Sequence, residues 1–205
     1  MANHAAVTRV PQEERTRAMR ARLLEATVEL LVEKGYAGTS TTLVSERAGV
    51  SRGAQLHHFP TKQDLVVAAV RHVTEVRGAE LAAAAEGLPT DPGRRTRAVL
   101  QVLGDHFTSP VFTAALELWV AARTDAGLRA EVAPLERRVG RETHAYALEL
   151  LAIDESRGDN RRLVQATLDL MRGLGLAASL SDDAKRRAAV LDSWAVVLDD
   201  ELELS

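Results

Sequence analysis

The chain of 205 residues has no cysteine, which excludes disulfides, thiolate metal sites and cysteine nucleophiles. Aromatic residues are scarce at 3%, while apolar residues reach 46%. The core must then be built mainly from Leu, Val and Ala, which together with Glu and Arg favour helix. No apolar run approaches the roughly 20 residues needed to cross a bilayer. The opening MANHAAVTRV also lacks the apolar segment of a secretory leader, so a soluble, cytoplasmic protein is expected. Nucleophile elbows, metal-ligand spacings and phosphate loops are missing too: the GLGL of residues 173–176 has no preceding strand or acidic partner. Scattered carboxylates such as Glu117 and Asp169 read as helix-face groups. No catalytic residue, metal or cofactor is expected, and the chain does not read as an enzyme.

The net charge of −3 hides an uneven distribution. Residues 1–62 carry nine Lys or Arg against six Asp or Glu, a balance of +3, and the remainder carries 17 against 23, a balance of −6. A mildly basic front precedes an acidic back.

Helical signals run the whole length. Leu23, Thr27, Leu30, Leu31 and Lys34 share helical spacing, and Gly35 is placed to end a first helix. Thr39 or Ser40 can cap a short second helix through Ala48, after which Gly49 can take the positive φ of a tight turn. Ser51 can cap a third, which Pro60 closes. Thr61 and Asp64 form a capping box for a fourth, reaching about Glu86. Breakers at residues 87–93, 109–110, 125–127, 156–160 and 181–183 divide the rest into about five more. The expected fold is all-α, with about nine helices and no strand.

Two short helices joined by Ala48-Gly49-Val50-Ser51, with small Ser45 one turn before the glycine, have helix-turn-helix spacing. Many helical hairpins meet that pattern by chance, but its surroundings are more specific. Gly35-Tyr36, Thr39-Ser40, Ala48-Gly49-Val50-Ser51, Gly53-Ala54, His57-His58-Phe59 and Lys62 closely resemble the motif set of the tetracycline-repressor family of transcriptional regulators. A weaker likeness extends to LELWVAARTDAGLRA, residues 116–130. The resemblance implies a three-helix DNA-binding domain over residues 12–62 and a helical effector-binding and dimerisation domain over 63–205. It sets the third helix in the major groove, with His57 beside a phosphate and His58 and Phe59 turned to the core.

Chemistry assigns further roles. Arg52 can reach a guanine edge with two parallel hydrogen bonds. Gly53 and Ala54 lack bulk, so the helix can enter the groove and Ala54 can touch a thymine methyl. Thr41, Thr42 and Lys62 suit phosphate contacts, which fix register rather than sequence. One departure stands out: the family usually has Leu-Tyr after Gly-Ala, and this chain has Gln55-Leu56. Gln55 can read a base or be buried and satisfied locally, and Leu56 can make an apolar contact. Arginines 9, 15, 17, 20 and 22 can serve as an arm to the DNA or as a solvated helix face.

In the rear half Leu163, Ala166, Leu170, Gly173, Leu174 and Ala177 form a stripe, and Gly175 and Ala178 keep the adjoining surface thin enough for a close helix. Leu191, Trp194, Ala195, Leu198 and Leu202 repeat the theme. The resemblance implies that these last two helices pair with a second copy. Such a homodimer sets two recognition helices about one DNA turn (~34 Å) apart over a palindromic operator; the competing reading makes the stripes purely intramolecular. It also implies a small-molecule effector pocket, for which Phe107, Trp119, His144 and Met171 are candidates, with His106 as a further polar one. Release from the operator by the effector would make the protein a repressor. A helical adaptor or ligand-binding protein that has lost DNA binding is the alternative.

Overall fold

A computed structural model describes residues 12–203, and within them the chain is helical throughout, as the composition implied. The elements are α1 (Gln12–Gly38), α2 (Thr41–Ala48), α3 (Arg52–His58), α4 (Lys62–Ala84), α5 (Pro92–Phe107), α6 (Pro110–Ala122), α7 (Ala126–Leu151), α8 (Asn160–Ala178) and α9 (Ala184–Glu201). A single 3₁₀ turn, Ala85–Gly87, follows α4.

Side chains do the punctuation. Ser40 Oγ accepts the Leu43 N–H at 3.2 Å and Ser51 Oγ the Ala54 N–H at 3.3 Å, each satisfying a donor the helix leaves orphaned. At the head of α4 the Thr61 and Asp64 side chains accept each other's backbone N–H groups at 3.0 and 3.1 Å, the reciprocal box expected from the sequence. Asp91, Ser109 and Asp125 cap α5, α6 and α7, the first two followed directly by proline. Pro134 lies inside α7 and does not end it.

Two apolar clusters make the interior. The first joins Leu23, Leu30 and Leu31 of α1, Val44 of α2 and Leu65 to Val70 of α4 with Ala114 and Leu118 of α6 and Leu128 and Val132 of α7. The second gathers Leu100 and Leu103 of α5, Leu150 of α7, Leu168 and Met171 of α8 and Leu198 of α9. Trp119 packs against both.

α8 reaches its neighbours through a missing side chain. A Cβ on Gly175 would stand 2.2 Å from the Phe107 carbonyl oxygen and 2.6 Å from the Phe112 ring. The thin surface read from the sequence is therefore used inside the chain, against α5 and α6. The loop before α8 is pinned by Asn160, wholly buried. Its amide donates to the Asp154 and Glu203 carbonyls at 2.8 Å each and accepts the Glu203 N–H at 3.0 Å.

The expected dimer stripe splits in two. Leu174, Leu191 and Leu198 are buried in the chain's own core, a correction to their assignment as interface residues. Leu163, Leu170, Ala177 and Trp194 remain partly exposed, and the Trp194 indole N–H donates to Thr167 Oγ1 at 2.9 Å. Beside them Leu176, Val196 and Val197 are exposed. The outward apolar surface of α8 and α9 thus keeps one edge of the stripe read in the sequence and adds Leu176, Val196 and Val197.

Candidate nucleic-acid interface

Seven residues of α3 form two faces. Arg52, Gly53, Leu56 and His57 are exposed, Ala54 is half-buried, and Gln55 is buried, with Phe59 just beyond the helix. The inward pair is tied together: the Gln55 Nε2 amide donates to the Phe59 carbonyl at 2.6 Å. Gln55 is therefore not a base-reading residue, which corrects its place among the DNA contacts; the local satisfaction weighed in the sequence is what the structure contains. Its Oε1 has no hydrogen-bond partner among the described residues. Leu56, where the family has a tyrosine, is 43% exposed on the outer face, so an apolar group occupies the family's phenol position.

The turn holding α3 against α2 follows from small residues. Gly49 takes φ 61°, where an L side chain is disfavoured, and the Val50 N–H reaches back to the Ser45 carbonyl at 3.0 Å. Ser45 is buried, and its hydroxyl donates to the Thr41 carbonyl at 2.9 Å. Thr42 is exposed and Thr41 half-buried at the start of α2. Arg47 faces away from this surface and bridges to Glu33 at 2.8 Å and Glu29 at 3.1 Å on α1. That hydrogen bonding holds the Glu33 carboxyl below its usual range and raises the Arg47 guanidinium.

Arg15, Arg17, Arg20 and Arg22 lie exposed on α1, with the Arg20 guanidinium 4.9 Å from the Phe59 ring centroid. Arg9 lies outside the described residues. Of this series Arg20 stands next to the end of α3, through its contact with Phe59.

Lys62 differs from expectation. Its ammonium donates to the Tyr36 carbonyl at 2.5 Å and lies 4.1 Å from the Tyr36 ring centroid. Burial there lowers its pKa, and burial, followed by the Asp125 charge, raises that of Tyr36. The group expected on a phosphate is already engaged at the end of α1. The Tyr36 N–H in turn donates to Glu117 Oε2 at 3.0 Å. Gly35 permits that approach, because at φ 67° a Cβ would stand 2.7 Å from the same oxygen. Sequence reading passed Glu117 over as a helix-face carboxylate. It is instead the tie that joins α6 to the ends of α1 and α4, and its only sequence signal was the family-like segment containing it.

Further back, Phe107, Val111, Phe112, Ala115, Trp119 and Thr143 surround a void of about 50 Å³. Phe107 and Phe112 meet edge-on at 5.3 Å, as do Phe112 and Trp119 at 5.9 Å. Phe107 and Trp119 were expected there, and His106 also lines the space. Met171 does not join them, which corrects its place in the expected pocket, and His144 lines the neighbouring groove between α7 and α8 instead. His144 lies over the outer α7–α8 surface with Nε2 3.1 Å from Glu155, and Met171 is fully buried in the second cluster. Among the described residues no three His, Asp or Glu side chains are grouped to hold a metal, and no helix is long and apolar enough to cross a membrane.

A capped helix-turn-helix, an outward third helix and a helical body tied to it define the class of helix-turn-helix regulators. The family model of the bacterial regulatory proteins of the tetR family matches residues 23–69. The transcriptional regulator CymR of Pseudomonas putida is 33% identical over 193 residues, covering 89% of this chain and 90% of that protein. A member of the TetR family from Streptomyces coelicolor A3 is 28% identical with a TM-score of 0.61, covering 86% of this chain and 97% of that one. A transcriptional regulator from Rhodococcus sp. Rha1 shares the fold with a TM-score of 0.70 at 22% identity, covering 91% and 98% of the two chains. This chain belongs to the TetR family.

Proposed function

We propose that the protein is a dimeric, ligand-responsive transcriptional repressor that binds a palindromic operator and is released by a small molecule. The carrying observation is the division of α3: Gln55 and Phe59 anchor one face while Arg52, Gly53, Leu56 and His57 stand exposed on the other. On this reading Arg52 reads a base edge, Ala54 and Leu56 meet apolar base groups, and His57, Thr41 and Thr42 position the helix on the backbone. Residues 12–62 are the reading head and residues 63–205 the sensing and pairing body. Leu163, Leu170, Ala177 and Trp194, with exposed Val197, supply an apolar surface for a second copy.

The test is retention of DNA from the protein's own upstream region. A binder of this kind retards it, with affinity falling linearly in log-log terms as salt rises, because neutralised phosphates release counterions. Failure to retain any fragment of a sheared genomic library at low salt overturns the reading.

The coupling route is the tie at Tyr36. Phe112, Ala115 and Trp119 line the void from one side of α6, and Glu117 of the same helix holds the end of α1. Ligand entry that moves α6 strains this bond, and through Lys62 the start of α4, beside α3. A 100-fold release takes a coupling of about 2.7 kcal/mol. Replacing Glu117 by leucine leaves the Tyr36 N–H unpaired. The expected outcome is a loss of about 1–3 kcal/mol of stability in denaturant melts and a smaller drop in operator affinity on effector addition. A full ligand response in that variant removes Glu117 from the route.

A further inference from the structure

Outside the void, between α7 and α8, runs an open groove of about 1350 Å³. Arg137 and Arg141 of α7 and Arg161, Arg162 and Arg172 of α8 line it, against Glu136, Glu155 and Asp169. Five guanidiniums thus face three carboxylates in a region, residues 63–205, whose total balance is −6. Arg172 is bound to Asp169 at 2.5 Å, and Arg161 is only loosely paired with Glu155 at 3.8 Å. Arg137 and Arg141 have no ion-pair partner among the described residues. They stand one turn apart on the same helix, a like-charge spacing that costs stability when nothing neutralises it. Guanidinium forks in such an array match phosphate or carboxylate oxygens.

The groove and the void share a wall. Glu136, Gly140 and Arg172 line both. At Gly140 that wall has no side chain: an added Cβ would find Glu136 Oε1 at 3.9 Å and Arg172 Nη2 at 4.0 Å and nothing closer. On the groove side of this wall stand the arginines; on the void side stand Phe107, Phe112 and Trp119. At this shared wall Glu136 supplies a carboxylate and Arg172 a guanidinium, which disfavours a free carboxylate there and suits a neutral polar linkage with a carbonyl for Arg172.

We infer that the effector is an acyl group carried on a phosphate-bearing tail through a neutral ester, thioester or amide. The acyl end enters the void beside Phe107, Phe112 and Trp119, the linkage passes Gly140, and the tail lies along Arg137, Arg141 and Arg161. This assignment rests on the ligand-responsive reading above and deepens it by naming the ligand's chemistry. The void of about 50 Å³ holds only a few carbon atoms as it stands. A longer acyl chain must push Phe112 and Trp119, and so α6.

Calorimetric titration of the full chain with butyryl- and octanoyl-coenzyme A tests the inference, with coenzyme A, butyrate and octanoate as separate arms. At least one thioester is expected to bind, coenzyme A alone about tenfold or more weaker, and the free acids weaker still. Joint replacement of Arg137 and Arg141 by alanine is expected to weaken the thioester about tenfold or more. Gly140→Leu, a better helix former that adds bulk at the shared wall, is expected to weaken acyl-dependent binding similarly while leaving binding of coenzyme A alone unchanged. The arginine variant alters two exposed side chains, so it keeps the test decisive if Gly140→Leu misfolds. Absence of binding by both thioesters overturns the inference, as does equal binding by the free acids or indifference to the arginine replacements. An operator-retention assay on the same protein separates the two proposals. Release by some other small molecule would leave the regulator standing without this ligand, and thioester binding without any DNA retention would do the reverse.

Discussion

Replacing Arg52 by alanine is expected to lower operator affinity by roughly 5- to 150-fold, the worth of one two-pronged guanidinium contact to a base. The side chain is exposed at the first position of α3, with the Ser51 cap directly before it. Truncation removes the charge without touching the core, so melting temperature and oligomeric mass should not change. The diagnostic feature is selectivity. In anisotropy titrations against operators altered one base pair at a time, the variant should become indifferent at a single position of each half-site. His57→Ala should weaken all sequences alike, as loss of a backbone contact does. Unchanged affinity and unchanged base preference for Arg52→Ala would remove α3 from the reading surface.

The second large effect concerns stability. Gly175→Ala places a methyl 2.2 Å from the Phe107 carbonyl oxygen and 2.6 Å from the Phe112 ring. One obstacle is backbone and cannot swing aside, so α8 must back away from α5. Overpacking of this kind costs about 1–3 kcal/mol, against a gain near 1 kcal/mol from alanine's helix preference. With a backbone atom as the obstacle the cost lies toward the upper end, a net loss approaching about 2 kcal/mol, so the melting temperature should fall by up to about 8 °C at roughly 2–4 °C per kcal/mol. Gly173→Ala is the control, because a Cβ there meets nothing within 4 Å and should be neutral or stabilising. Equal melting of the two variants would show that the packing at Gly175 is loose. Phe107 and Phe112 also border the void, so Gly175→Ala should disturb ligand response as well as stability.

Local chemistry was legible in the sequence, and direction was not. Caps at Ser40, Ser51 and Asp64, the turn at Gly49 and the proline breaks act within a few residues, so the helices and the helix-turn-helix could be read directly. The stripe on α8 was visible too, but that helix has apolar residues on more than one face. Nothing in spacing says that Leu174 turns inward and Leu176 outward. Gln55 posed the same question for a polar group, which the Phe59 carbonyl answers by taking its amide. The ties of Glu117 and Lys62 could not be read in the sequence because their partner, Tyr36, lies 81 and 26 residues away. His144 was expected beside the aromatic residues; α7 turns it toward Glu155, on the wall of the neighbouring groove.

Leu23, Leu30 and Leu31 share one apolar cluster with Ala114, Leu118, Leu128 and Val132, across the boundary drawn at residue 62. The first three helices are therefore not a detachable cartridge. Fusing only these helices to a foreign body would carry over half of a joint and expose the other half to water. A chimera meant to test the proposed base readout does better to change Arg52 and Leu56 in place than to transplant the segment that bears them.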